Sequence, residues 1–227
     1  ASFRLYLIYA GIDQTIQAGT YSLSPGLTPL EIANIIQNPL SQEVTFVILA
    51  GWRAEEIANL LPTSGLSVTP GEFMALVDTP VGLHLPSGLE TGTSLEGFLA
   101  PGEYLLRRDI SAQALVQSFI DRFEQNLSPD MRAGFERQGL SLLEAVTLAS
   151  IVEKEGVVDD EHPMIASVFL NRIAIGIKLD SDPTVQYALG YNQDQTTWWT
   201  NPLSYADLQT DSAFNTYVYT GLPPHPI

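Results

Sequence analysis

The segment SIVEKEG, residues 150–156, carries two carboxylates around a lysine at the end of an apolar stretch. Carboxylates at this spacing are compatible with a catalytic acid and a helper, with a metal site, or with a solvated helix end. Residues two apart lie about 200° apart around a helix axis. Glu155 then falls on the face of Ile151, and Glu153 on the face of Ala149. We therefore expect the two carboxylates to face different sites.

The helix that ends at this segment is predicted from its own signals. Ser141 and Glu144 form a capping-box pattern, the body is apolar almost all round, and Gly156 is the residue type that ends helices in the left-handed conformation. Glu155 would meet the negative end of the helix dipole beside apolar neighbours, and both effects favour its protonated form. That environment suits a general acid. Spacing alone is also compatible with a frayed, solvated helix end in which Lys154 pairs with one glutamate.

Composition limits the functions that these residues could serve. The 227-residue chain is 45% hydrophobic, which is ample for a packed core. Its 26 acidic and 10 basic residues give a net charge of -16, so nucleic acid would be repelled. The chain has no cysteine, which excludes disulfides, thiolate metal sites and cysteine nucleophiles. The apolar run LYLIYAGI near the start is too short to cross a bilayer and predicts a buried helix.

The first part of the chain contains an internal repeat. EIAN occurs at 31–34 and again at 56–59, each time after a strand-like run, GTYSLS or VTFVIL. This pattern predicts two strand-helix units of one small α/β module, in which Ile and Ala pack while Glu and Asn face water.

Capped amphipathic helices follow from about Ser67 onward, joined by a loop rich in Gly, Pro and Ser. We therefore predict an α+β fold: a small α/β module in residues 1–85, then a mixed, mainly helical domain in residues 86–227. The run of acidic residues and a histidine at 159–162 lacks the spacing of metalloprotease or EF-hand sites, so we expect a solvated loop there and no metal site.

Two further segments contribute polar residues near predicted helix ends. HPMIASVFLNRIAIG predicts a helix ending at Gly176, and SDPTVQYALG predicts a short helix with Ser181 or Asp182 as its cap. The tail FNTYVYTGLPPHPI is polar, aromatic and rich in proline. Such residues are common in caps and turns, so none is assigned a function on composition alone.

Taken together, ASIVEKE, IASVFLNRI, SDPTVQYALG and FNTYVYTGLPPHPI resemble in order and spacing the YceG-like family of endolytic murein transglycosylases. GTYSLSPGLTPLEIANII and LEGFLAPGEYLL extend the resemblance over almost the whole chain. It implies that residues 1–85 include a LysM-like module and that residues 86–227 form a catalytic domain truncated at its C-terminus. It also implies a protein at the extracytoplasmic face of the bacterial cell membrane that needs no metal or organic cofactor.

The resemblance implies roles for particular residues. The family's catalytic acid is the second glutamate of the VEKE segment, which corresponds to Glu155, and Glu153 then has a supporting role. The motif segments supply candidates for lining the glycan cleft, namely Asn171, Asp182, Thr184, Tyr187, Asn215 and Tyr217. The implied reaction cleaves MurNAc-GlcNAc bonds of nascent peptidoglycan strands and leaves 1,6-anhydro-MurNAc ends. Cell-wall synthases are the implied protein partners.

Two features depart from the family pattern. Residues 101–104 read PGEY where PDTY is common, which leaves the role of that loop open. The family's membrane anchor and C-terminal extension are not seen, which suggests an excised ectodomain. The alternative function is a catalytically silent module that binds peptidoglycan or acts as a scaffold, although the presence of Glu155 argues against it.

Overall fold

The computed structural model describes residues 2–19, 21, 23–37 and 42–227. The elements in these ranges are α1 (Ser2–Tyr9), α2 (Pro29–Ile35), β1 (Glu43–Ile48), α3 (Ala54–Ser64), α4 (Pro70–Asp78), β2 (Gly102–Arg107), α5 (Ala112–Asn126), α6 (Pro129–Arg137), α7 (Leu142–Glu155), α8 (His162–Ala174) and α9 (Asp182–Leu189). Short 3-10 turns lie at Asp159–Glu161 and Asp207–Gln209. A mainly helical chain with a small sheet is an α+β fold, as predicted.

Helix starts follow the local sequence signals. Thr28 and Thr69 cap α2 and α4, and in each case a glutamate three residues later completes a capping box. Ser141 and Glu144 make the same arrangement at the start of α7. Each cap satisfies backbone N–H groups that the helix cannot pair and is worth about 1 kcal/mol, so these starts are fixed locally.

The internal repeat folds as predicted only in its second copy, where β1 precedes α3. The first copy forms α2 without a strand: residues 19, 21, 23 and 24 are not in a strand, and residues 20 and 22 lie outside the described ranges. β1 instead pairs antiparallel with β2, with Glu43 opposite Arg107. The first unit differs from the prediction because a strand needs a hydrogen-bonding partner, and the local pattern does not supply one.

Two apolar cores lie side by side along the chain. The first contains side chains from 46 to 142 and is centred on Phe119, whose ring lies 4.7 Å from that of Tyr104. The second contains side chains from 148 to 227, and α7 contributes to both cores. Residues on both sides of the predicted division at 85/86 belong to the first core, so that division stays a prediction.

The helix α1 is less buried than its apolar sequence suggests. Leu7 is buried, but Leu5 is 66% exposed and Tyr9 is 92% exposed. The expectation of a buried helix was wrong for these faces, because α1 packs mainly on α2, which covers only one side of it. No helix in the described part of the chain is long and apolar enough to cross a membrane.

The end of the chain returns to the middle of the molecule. Ile227 is buried and donates its N–H to Ser150 Oγ of α7 at 3.0 Å. Pro226 lies so close to Gly97 that a Cβ added there would stand 2.4 Å from the proline ring, and Gly97 has a φ of +78°. The tail is therefore tied to both α7 and the loop before β2.

Candidate active site

Glu155, the last residue of α7, is half-buried. Its Oε1 accepts a 2.5 Å hydrogen bond from the Ser181 hydroxyl. Ser181 is the N-cap residue of α9 and is fully buried, but its side chain makes no hydrogen bond to the helix that it precedes. The serine that the sequence suggested as a helix cap therefore holds Glu155 instead.

A buried hydroxyl network holds Ser181 in place. Its N–H donates to Thr216 Oγ1 at 3.1 Å, and its carbonyl accepts from Thr184 Oγ1 at 2.6 Å. The two threonine hydroxyls are 2.9 Å apart. Asn215 donates to the carbonyls of residues 208 and 210, and its Oδ1 accepts the N–H of Tyr217. These bonds fix the backbone on both sides of the residue that touches Glu155.

Two of the predicted cleft residues belong to this support. Thr184 and Asn215 are both 0% exposed, and their polar side-chain atoms bond to protein groups. A glycan could not touch either side chain in this arrangement. In this arrangement both side chains support the backbone around Ser181 and do not face solvent.

Asp182 and Tyr217 form a pair beside this network. The Tyr217 hydroxyl donates to Asp182 Oδ1 at 2.7 Å, and Lys178 Nζ donates to the Tyr217 carbonyl at 2.7 Å. Partial burial, the hydrogen bond to Asp182 and the negative charge of Asp182 raise the pKa of Tyr217 to about 12. The charge of Glu155 also acts on this phenol, which places the pair within its electrostatic reach. Asp182 is exposed and Tyr217 partly so, and both are open to a ligand.

Asn171 is exposed on α8. The next residue, Arg172, contacts the segment that leads to Ser181. Arg172 Nη1 donates to the carbonyl of Leu179 and lies 3.5 Å from Asp180 Oδ2. Asp180 has a left-handed φ of 50°, which turns the chain just before Ser181. The arginine thus pins the turn that leads into the site.

Tyr187 lies where the two cores meet. Arg53 stacks on its ring at 4.0 Å and donates to its carbonyl at 3.2 Å. Its hydroxyl donates to Glu96 at 3.4 Å, and Phe214 packs on it with ring centroids 4.9 Å apart. Burial raises the pKa of Tyr187, so its hydroxyl stays protonated. The ring and hydroxyl of Tyr187, which were predicted to line the glycan cleft, therefore contact protein groups.

Arg53, which was not predicted as a site residue, joins the start of α3 to α9 at the junction of the two cores. It is 4% exposed and pairs with Glu55 at 3.1 Å. In the internal repeat it stands where the first copy has the helix cap Thr28. An arginine at a cap position was the available signal, because arginine is not among the residues that cap helices through a side-chain oxygen.

Lys154 and Trp199 add a second contact at the same junction. The Lys154 ammonium lies 3.6 Å from the centroid of the Trp199 ring, and Arg53 lies 5.8 Å from that centroid. Because Lys154 precedes Glu155, this contact also fixes the end of α7.

Glu153 faces the opposite side of α7, as the helical geometry predicted. Two apolar grooves of about 300 and 720 Å³ share it as a lining residue. The other residues that line both grooves are Met131, Phe135, Ala145 and Ala149. Glu155 lines neither groove, so these two apolar grooves lie away from the carboxylate that the Ser181 hydroxyl orients.

Gly156 ends α7, but not in the way the sequence suggested. Its φ of -76° and ψ of 134° are extended, not left-handed. A Cβ at this position would meet His162 Cδ2 at 2.2 Å. Glycine allows this close approach of the His162 ring, whereas a larger residue would displace the ring.

Two other segments singled out in the sequence lie in β2 and in the turn after α7. Gly102 to Tyr104 of the PGEY segment begin β2, and the buried Tyr104 hydroxyl donates to the Ala100 carbonyl at 2.6 Å. In the acidic run, the side chain of Asp159 lies outside the described residues. Among the side chains that are described, no group of three or more His, Cys, Asp or Glu could hold a metal ion.

The fold and the motif segments around Glu155 are those of a known family. The chain belongs to the YceG-like family, whose model matches residues 1–227. It is 32% identical to an endolytic murein transglycosylase of Streptococcus pneumoniae serotype 2 (strain D39) over 248 aligned positions, covering 99% of this chain and 44% of that protein. It is 34% identical to an endolytic murein transglycosylase of Bacillus subtilis (strain 168) over 134 residues, covering 59% of this chain and 35% of that protein.

A solved structure is similar over the same extent. The crystal structure of a yceG-like protein from Listeria monocytogenes matches with a TM-score of 0.68 and 28% identity, covering 99% of this chain and 75% of that chain. The chain spans less than half the length of the curated relatives named above.

Proposed function

We propose that this chain contains the catalytic part of an endolytic murein transglycosylase, with Glu155 as its acid and base. The observation that carries the proposal is the 2.5 Å hydrogen bond that orients this half-buried carboxylate at the end of α7. The family membership and the relatives named as murein transglycosylases supply the substrate class, peptidoglycan.

In the proposed reaction, Glu155 first protonates the glycosidic oxygen between MurNAc and GlcNAc. The bond from C1 of MurNAc to that oxygen breaks, and GlcNAc leaves as an alcohol. The Glu155 carboxylate then takes the proton from the 6-hydroxyl of the same MurNAc while this oxygen bonds to C1. No water is consumed, and the product ends in 1,6-anhydro-MurNAc.

One carboxylate is sufficient for this chemistry. Most glycosidases need a second carboxylate to activate water or to attack the sugar. Here the nucleophile belongs to the substrate, and a well-placed internal hydroxyl has an effective molarity of about 10⁵–10⁸ M. Glu153, on the other face of α7, is therefore not required for proton transfer.

The substrate contacts follow from which candidate residues are accessible. Asp182 and Tyr217 offer a carboxylate and a phenol beside the acid, and Asn171 offers an exposed amide on α8. We propose that these three contact the glycan, and that Tyr187 contributes by holding α9. The N-terminal part is proposed to be LysM-like and to bind the same polymer. Nascent strands outside the cytoplasmic membrane are the proposed substrate, and cell-wall synthases the proposed partners.

Digestion of purified glycan strands tests the proposal. Mass spectrometry of the wild-type products should find 1,6-anhydro-MurNAc ends, which are lighter than reducing ends by one water. Reducing ends would instead indicate a hydrolase. Binding without cleavage would favour the silent binding module.

A further inference from the structure

Ser181 differs from the other serines that precede helices in this protein. Ser111, Ser128 and Ser141 each accept a hydrogen bond from a backbone N–H in the first turn of α5, α6 and α7, at 3.2 Å in each case. Ser181 occupies the same position before α9 but makes no such bond. Its hydroxyl donates to Glu155 instead.

The protein fixes the direction of this hydroxyl. Thr216 and Thr184 hold the N–H and the carbonyl of Ser181, and all three residues are at most 2% exposed. A glycan cannot reach Ser181, and the hydroxyl acts on the reaction through the Glu155 carboxylate to which it donates.

We propose that Ser181 is a positioning residue that assigns different roles to the two oxygens of Glu155. Oε1 is anchored by the hydroxyl, and Oε2 carries the proton in both steps. This inference rests on the proposed transglycosylase function.

The arrangement is compatible with both protonation states. When Oε2 carries the proton, Oε1 is a carbonyl oxygen and still accepts from Ser181. When Glu155 is ionised, Oε1 accepts the same bond as a carboxylate oxygen. The hydrogen bond therefore persists while the proton leaves for the glycosidic oxygen and is replaced from the 6-hydroxyl. The carboxyl group does not need to rotate between the steps.

The test compares Ser181→Ala with Ser111→Ala, using the wild type and Glu155→Gln as references. Each protein is assayed for 1,6-anhydro-MurNAc ends and for Tm. Ser181→Ala should lower kcat about 10- to 100-fold, because a misplaced catalytic group costs about that much. Its KM should stay within about twofold, and its Tm should stay near the wild-type value, because no helix cap is lost.

Ser111→Ala is the matched control, since it removes a hydroxyl that does cap its helix. We expect its Tm to fall by about 2–4 °C while kcat is unchanged. Thr216→Val is the second variant, because it removes the acceptor of the Ser181 N–H. It should lower kcat without raising KM.

Two results would overturn the positioning role: a kcat of Ser181→Ala that stays at the wild-type value, whether or not KM rises, or a loss of activity in this variant that only tracks a lowered Tm. A wild type that makes no anhydro ends would instead refute the proposed function.

Discussion

Two glutamates of one helix end have different surroundings. Glu155 accepts a hydrogen bond from a buried hydroxyl and lies near the Asp182 and Tyr217 pair. Glu153 is exposed and borders apolar grooves. A general acid must be held within hydrogen-bonding reach of its target, and only Glu155 has a neighbour that orients it in this way.

At the scale of single residues, we predict that Glu155→Gln abolishes the formation of anhydro ends while Glu153→Gln keeps most of the activity. The amide preserves the shape of the side chain but cannot donate a carboxyl proton. Loss of general acid-base catalysis costs about 10²- to 10⁴-fold in rate, and here one residue performs both steps. Mass spectrometry of digested glycan strands measures both variants. Binding of the same strands to Glu155→Gln is the control for folding, and a fully active Glu155→Gln would contradict the assignment.

The sequence predicted that Glu155 ends α7, but it did not predict the hydrogen-bonding partner of this residue. The helical period separated the two glutamates correctly, because that separation is a local property. Ser181 is 26 residues away along the chain, and its N-cap position predicted a different bond. The burial of Thr184 and Asn215 was missed for the same reason: it depends on how distant segments pack, which one sequence does not reveal.

At the scale of elements, helix starts depend on residues close in sequence, whereas strand pairing depends on distant residues. Capping boxes fix the starts of α2, α4 and α7, because each box involves residues three apart. The pairing of β1 with β2 joins residues 43–48 to 102–107 and was not foreseen. It depends on which distant strand is available, and the partner lies beyond the predicted division at 85/86.

The element-scale prediction concerns the contact between the chain's tail and the loop before β2. Gly97→Ala should destabilise the protein by about 2–4 kcal/mol, because a Cβ at a φ of +78° is strained and would also meet the Pro226 ring at 2.4 Å. Urea denaturation followed by circular dichroism measures the change in the free energy of unfolding.

Gly134→Ala is the matched control for this substitution. Gly134 lies inside α6, and a Cβ there would have its nearest neighbour at 3.7 Å. The change should be neutral or stabilising by about 0.5–1 kcal/mol, because alanine favours the helix. Equal effects of the two substitutions would refute the close contact between the tail and Gly97.

At the scale of the whole molecule, the two cores are joined by buried polar groups. Arg53 connects the start of α3 to α9, and Glu96 accepts the N–H of Ala54 at 3.1 Å and a hydrogen bond from Tyr187. Since α9 follows directly from Ser181, this junction also positions the residue that holds Glu155. The placement of Glu155 therefore depends on both halves of the chain.

Glu96 makes this junction sensitive to pH. Burial, followed by the charge of Glu55, raises its pKa from 4.5 to about 7, although Arg53 and the hydrogen bonds from Ala54 and Tyr187 oppose the shift. The folded state therefore keeps a proton that the unfolded state releases. The resulting stabilisation is complete below about pH 4.5 and is lost as the pH rises through about 7.

The last prediction is that Glu96→Gln removes this dependence and makes the protein more stable than the wild type at pH 8. The amide stays neutral and still offers an oxygen to the Ala54 N–H. A shift of this size corresponds to about 3 kcal/mol of unfolding free energy between pH 5 and pH 8.

Burial lowers the pKa of His225, so this residue contributes stability that is lost as the pH falls, with the opposite sign. The difference between the wild type and Glu96→Gln removes that contribution, because both proteins contain His225. Urea denaturation at several pH values gives the two curves, with Glu90→Gln at an exposed glutamate as the control for net charge. The curves should meet near pH 5 and diverge toward pH 8, whereas parallel curves would mean that Glu96 is already ionised in the folded protein at pH 5.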